Sequence, residues 1–195
     1  GGISIMSELR TNRIVPRDGL TSGTGIGGGI IQVKNATITA TDTISCSNAS
    51  ALAFYDSILL CSITPTRADS KILVSLSATG EGNAANQELF QFRIKRVISG
   101  GATTFIQGAA AGNRSLALGN TGDLTDSASG TPSSFSINNY LDTPATTSAV
   151  TYTLQFSYLY GYGAGTYYLN RNASDSDANA NGRFVSWMTL MEVSG

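Results

Sequence analysis

The chain has 195 residues, of which 41% are hydrophobic and 13% charged, with a formal net charge of −1 and no histidine. That length supports one well-filled core rather than two ordinary domains. The balanced charge, with no basic block, argues against electrostatic capture of nucleic acid, and the missing histidine removes Ser-His and Cys-His nucleophilic pairs, histidine-ligated zinc and most general-base chemistry near neutral pH.

The charged share is about half the usual value of roughly 25%, and Ser, Thr, Asn, Ala and Gly take its place. This suits a β protein whose outer strand faces carry Ser and Thr. No apolar run reaches the roughly 18 residues that a membrane span needs, so membrane insertion is not expected. The start, GGISIM, lacks the basic and apolar regions of a signal peptide, and Met6 reads as a natural initiator.

In chain order, residues 1–28 read as an extended arm and a Gly-rich joint, and residues 29–195 as a β-sandwich head. Within the joint, GTGIGG (residues 23–28) matches GxGxxG. A dinucleotide site needs a strand before that pattern and a helix after it. Here a polar segment precedes and β sequence follows, so the glycines read as a flexible connection.

From residue 29, strands and turns alternate. GIIQVKNATI opens the β region, and SILLCSITP is a short apolar strand stopped by Pro65. KILVSLSATG places Ile72, Val74, Leu76 and Ala78 on one face and Ser75 and Ser77 on the other, with Gly80 expected to end the strand. In ELFQFRIKRVISGG, Phe90, Phe92 and Ile94 oppose Gln91, Arg93 and Lys95, and Gly100–Gly101 turn the chain into ATTFIQGAA as a hairpin partner.

Residues 108–133 read as a long loop with a small strand at 116–118. SFSINNYLD is the next strand, and AVTYTLQFSYLYG the strongest, with Val150, Tyr152, Leu154, Phe156, Tyr158 and Tyr160 on one face. GTYYLNRN, the polar loop ASDSDANANG and the closing strand RFVSWMTLMEVSG follow. No useful amphipathic helix is present. The expected fold is all-β, an antiparallel β-sandwich or jelly roll.

The closing strand departs from simple alternation. Phe184, Met188 and Leu190 occupy one face, and Val185, Trp187, Met191 and Val193 the other. An outer sheet face is ordinarily polar, so Val185, Trp187 and Met191 are expected at a subunit interface.

No catalytic centre, cofactor or metal site emerges. Asp175, Asp177, Asn179 and Asn181 alternate as calcium ligands can, but Gly182 and Ser186 fall where an EF-hand loop needs other residues. The remaining carboxylates suggest no glycosidase pair. Cys46 and Cys61 are not in a CxxC arrangement and read as small, partly buried residues. The tyrosines crowding YLYGYGAGTYYL either complete the core or form a contact surface, with Tyr162 the best placed for exposure.

The stretches MSELRTNRIVPRDGLTSGT, GGGIIQV, SITPTRADSKILV, LDTPATTSAVTYTLQF and MEVSG together resemble structural proteins of tailed bacteriophages, especially small fibre-like proteins of phages infecting cyanobacteria and other aquatic bacteria. The resemblance implies a virion protein made in the bacterial cytoplasm, with a trimeric jelly-roll head like that of tumour necrosis factor and C1q. It implies a tail-fibre or spike head that recognises a host-surface glycan, or alternatively a capsid decoration or head-fibre protein.

On this reading Leu9, Arg10, Arg13, Ile14 and Arg17 attach the arm to another virion protein or a neighbouring subunit. Tyr162, Asn172, Asp175, Asp177 and Asn179 are the receptor-binding candidates.

Overall fold

The computed structural model describes residues 29–46, 53–84, 90–121, 132–158 and 164–195, among which there is no helix. The strands are β1 (Ile30–Ile38), β2 (Asp42–Cys46), β3 (Tyr55–Ile63), β4 (Lys71–Ala84), β5 (Phe90–Ile98), β6 (Thr103–Ile106), β7 (Gly119–Asn120), β8 (Ser133–Asp142), β9 (Val150–Tyr158), β10 (Gly165–Leu169) and β11 (Ser186–Val193). All pair antiparallel, in a six-stranded and a five-stranded sheet.

Several short strands lie end to end. β11 pairs with residues 71–77 of β4 and β10 with residues 80–84 of the same edge, while β8 holds the other edge. β1 pairs β11 and β2 pairs β10, so β1 and β2 also form one line. In the second sheet the order is β3-β9-β5, with β6 and β7 sharing the far edge of β5.

Each sheet is therefore four lines wide. Line one (β1 and β2) pairs the last line (β10 and β11), β3 pairs β9, β4 pairs β8, and β5 pairs β6 and β7. The chain is one long hairpin wound into two sheets, which is the jelly-roll arrangement.

Three local readings change. β4 does not end at Gly80 but continues to Ala84. A Cβ there would lie 2.8 Å from Tyr167 Cε1 and 2.3 Å from the Tyr168 carbonyl oxygen, so the glycine makes room for a ring crossing the strand. The strand expected at 116–118 is instead Gly119–Asn120, paired with Gln91 and Phe92. β2, with the sequence DTISC, carried too little apolar signal to be read as a strand, and β10 supplies its partner.

The core forms where the two inner faces meet. Phe92 of β5 stacks on Phe135 of β8 at 4.2 Å, and Phe156 of β9 stacks on Tyr167 of β10 at 4.1 Å. Each pair joins one sheet to the other, and Phe135 meets Phe156 edge-on at 5.9 Å.

One end of this core is closed by polar side chains. Across the six-stranded sheet, Gln32, Glu192, Ile72 and Asp142 lie in one row. Asp142 accepts from Arg96 Nη1 (2.6 Å) and Tyr152 Oη (2.7 Å) of the opposite sheet. Burial, with the adjoining Asp142 charge, pushes the Tyr152 phenol well above its usual range.

Glu192 accepts from Gln32 Nε2 (2.6 Å) and from Thr66 N and Oγ1 (both 2.7 Å). Burial alone would raise its pKa, but these hydrogen bonds outweigh it and hold the carboxyl at about 2. The depressed folded value means that the contribution is full above the ordinary glutamate range and lost as pH falls from about 4.5 toward 2.

Glu192→Gln should cost about 2 kcal/mol at pH 7, with a flatter loss of stability between pH 4.5 and 2 than in the wild type. Denaturant unfolding across that range measures both.

Candidate functional site

The outer face of the six-stranded sheet is built from the outward positions of β1, β11, β4 and β8. Val33 pairs with Met191, Met191 with Leu73, and Leu73 with Leu141. These four side chains form an apolar row across four neighbouring strands, and Val33 (52%) and Leu141 (48%) are strongly exposed. Beside the row, Ile30 pairs Val193, and Ile30 and Ile31 are exposed as well.

Further along the same face, side chains become hydroxyls and amides. Asn35 donates to Thr189 Oγ1 (2.8 Å), and Thr79 and Ser134 share a hydroxyl contact at 2.7 Å. Trp187 sits in this polar region between Thr37 and Ser77.

The three expected interface residues therefore separate. Met191 belongs to the apolar row, Trp187 lies four residues back along the strand, or roughly 13 Å, and Val185, 49% exposed, precedes β11. The sequence reading missed Val33, Leu73 and Leu141, whose strands are far apart in the chain. A signal was present in Leu73, the apolar exception on the serine face of KILVSLSATG.

The excursion between β10 and β11 is the second feature. Asn170 ends β10 with φ 63° and donates from Nδ2 to the carbonyls of Ile38 (3.0 Å) and Ala40 (2.9 Å). Its Oδ1 accepts from Ser186 Oγ (2.6 Å), and its backbone N–H donates to the Thr79 carbonyl (2.8 Å). An Arg171–Arg183 bridge then narrows the loop base.

Within the loop, Asn172 is buried and its Oδ1 accepts from Gly182 N (2.7 Å), which shapes the loop. Asp175 ion-pairs with Arg183 and approaches Arg171 at 3.9 Å, which commits its carboxylate to guanidinium groups. Asp177 and Asn179 are exposed. Asp175, Ser176, Asp177, Ala178, Asn181 and Arg183 line a shallow cleft of about 320 Å³.

Tyr162 and the arm residues Leu9, Arg10, Arg13, Ile14 and Arg17 lie outside the described residues. Tyr167 is fully buried against Phe90 and Phe156 and belongs to the core. Cys46 and Cys61 are both buried free thiols, and burial pushes Cys46 up to about 12, which leaves it unreactive.

No protein-family model and no curated protein matches the chain. A solved structure of infectious bursal disease virus, Gx strain, is similar to it with a TM-score of 0.43 and 14% identity, over 92% of this chain and 44% of the viral one. The chain thus spans less than half of that viral chain's length.

Asn172→Ala should destabilise by about 1–3 kcal/mol, because the Gly182 N–H loses its buried acceptor. Asp175→Asn, which weakens an exposed pair, should cost under about 1 kcal/mol. Urea unfolding of the two variants compares them directly.

Proposed function

We propose that the protein is a virion structural component, a jelly-roll head that assembles as a homotrimer through the outer face of its six-stranded sheet and presents its loops to a host-surface glycan. The supporting observation is the row Val33–Met191–Leu73–Leu141. An apolar row continuous over four strands, with exposed isoleucines beside it, is surface that a neighbouring subunit would remove from water. The proposed role is adhesive and mechanical rather than enzymatic. Three copies would present three equivalent loop sets, so individually weak contacts would add as avidity.

In this reading the arm, residues 1–28, joins the head to another virion protein or to a neighbouring subunit. The second reading is a decoration protein that assembles only on its capsid shell. It shares the apolar row but gives it the shell as partner.

Light scattering on the purified chain should give a trimer mass, and Val33→Lys should shift it to monomer with little change in thermal midpoint, since Val33 is 52% exposed. A wild-type monomer that binds empty capsids would favour the decoration reading instead.

Removing residues 1–22 should leave a folded trimer that no longer joins the virion. Loss of folding would show that the arm belongs to the head.

A further inference from the structure

A second surface, on the outer face of the five-stranded sheet, carries unfinished polar chemistry. Ser157, Gln91 and Asn120 lie in one row across β9, β5 and β7. The chain leaving β6 folds back beside this row, tied by Gly108 N to the Ala117 carbonyl (2.8 Å) and by Leu118 N to the Phe92 carbonyl (2.8 Å). Between the returning segment and β5 lies an open cleft of about 270 Å³, lined by Gln91, Ser115, Ala117, Leu118, Gly119 and Asn120.

Two of those lining groups are unpartnered. Gln91 is only 3% exposed, yet among the described residues its Nε2 has no hydrogen-bond partner, and neither does the buried Ser115 Oγ. Buried polar atoms are nearly always paired, so two in one cleft call for a physical reason.

A glutamine on the same face shows the contrast. Gln155 accepts from Arg93 Nε (2.7 Å) and donates to Asp56 Oδ1 (2.7 Å). Arg93 itself lies between the rings of Phe54 (4.0 Å) and Phe105 (3.7 Å) and donates to Gln107 (2.9 Å). That neighbourhood is complete, whereas the Gln91 amide is not.

We infer that this cleft binds a neutral sugar residue, with Gln91 Nε2 donating to a hydroxyl or acyl oxygen and Ser115 Oγ exchanging a hydrogen bond with a second hydroxyl. None of the six lining residues is charged, which disfavours an anionic or cationic ligand. Ala117, Leu118 and Gly119 supply carbon surface for the C–H face of a ring. The space greatly exceeds that of one water, whose share of liquid volume is about 30 Å³. This assignment deepens the glycan-recognition reading above and rests on it, while moving the contact away from the 171–185 loop.

The test is ligand-observed saturation-transfer NMR on the full chain, with methyl glycosides of glucose, galactose, mannose, rhamnose and N-acetylglucosamine, and glucuronic acid as the anionic control. At least one neutral glycoside should bind, Gln91→Leu and Ser115→Ala should each weaken it tenfold or more, and Arg67→Ala, at an exposed surface pair outside the cleft, should leave it unchanged. If Gln91→Leu does not fold, Ser115→Ala carries the comparison.

Binding retained in the cleft variants, binding of glucuronic acid alone, or no binding of any neutral glycoside would overturn the assignment. Light scattering of the same samples separates the two ideas. A trimer that binds no neutral glycoside overturns the cleft and leaves the trimeric head standing, and a monomer that binds one does the reverse.

Discussion

The jelly roll depends on Asn170. β4 is paired along one edge by two separate strands, β10 and β11, and the chain leaves the sheet between them. That departure would strand backbone groups of β4 at Thr79. The Asn170 N–H takes the Thr79 carbonyl, and Ser186 Oγ accepts the Thr79 N–H at 3.3 Å. The Asn170 side chain also holds the carbonyls of Ile38 and Ala40, where β1 passes into β2. One residue in the left-handed region, which asparagine tolerates better than most, joins three lines of strand and frees the 171–185 segment to project.

At one end of the core, elements are tied together with charge. Glu192 and Asp142 occupy inward strand positions where apolar side chains would normally sit. Each is fully engaged, Glu192 by Gln32 and Thr66 and Asp142 by Arg96 and Tyr152. A buried carboxylate with such partners orients the elements around it, and a missing partner would be costly. Asp142 thereby ties the two sheets together, and Glu192 ties β1 and β11 to the connection between β3 and β4.

The outer faces of the two sheets then differ in kind. The six-stranded sheet exposes an apolar row at the end near the C-terminus and hydroxyls beyond it. The five-stranded sheet carries a polar network in which Thr153, Gln155 and Ser157 are buried. The first surface suits another protein, and the second suits a small polar ligand. On the proposed reading, assembly and recognition would lie on separate faces of one chain.

Much of the architecture was legible in the sequence. Period-two alternation identified β4, β5 and β9 and their core faces, because successive side chains on a strand must point to opposite sides. Low charge, abundant Ser and Thr, and frequent turn residues indicated an all-β sandwich. Registers were not legible, since pairing brings together residues such as Val33, Leu73, Leu141 and Met191 that no local pattern connects. The buried role of Asn172, the passage of β4 through Gly80 and the unpartnered Gln91 amide were decided by tertiary packing alone. Each depends on what a distant segment places against it: Gly182, Tyr167 and the chain returning beside β5. Sequence determines which side of a strand is apolar, while the fold determines which strands stand together and what remains uncovered.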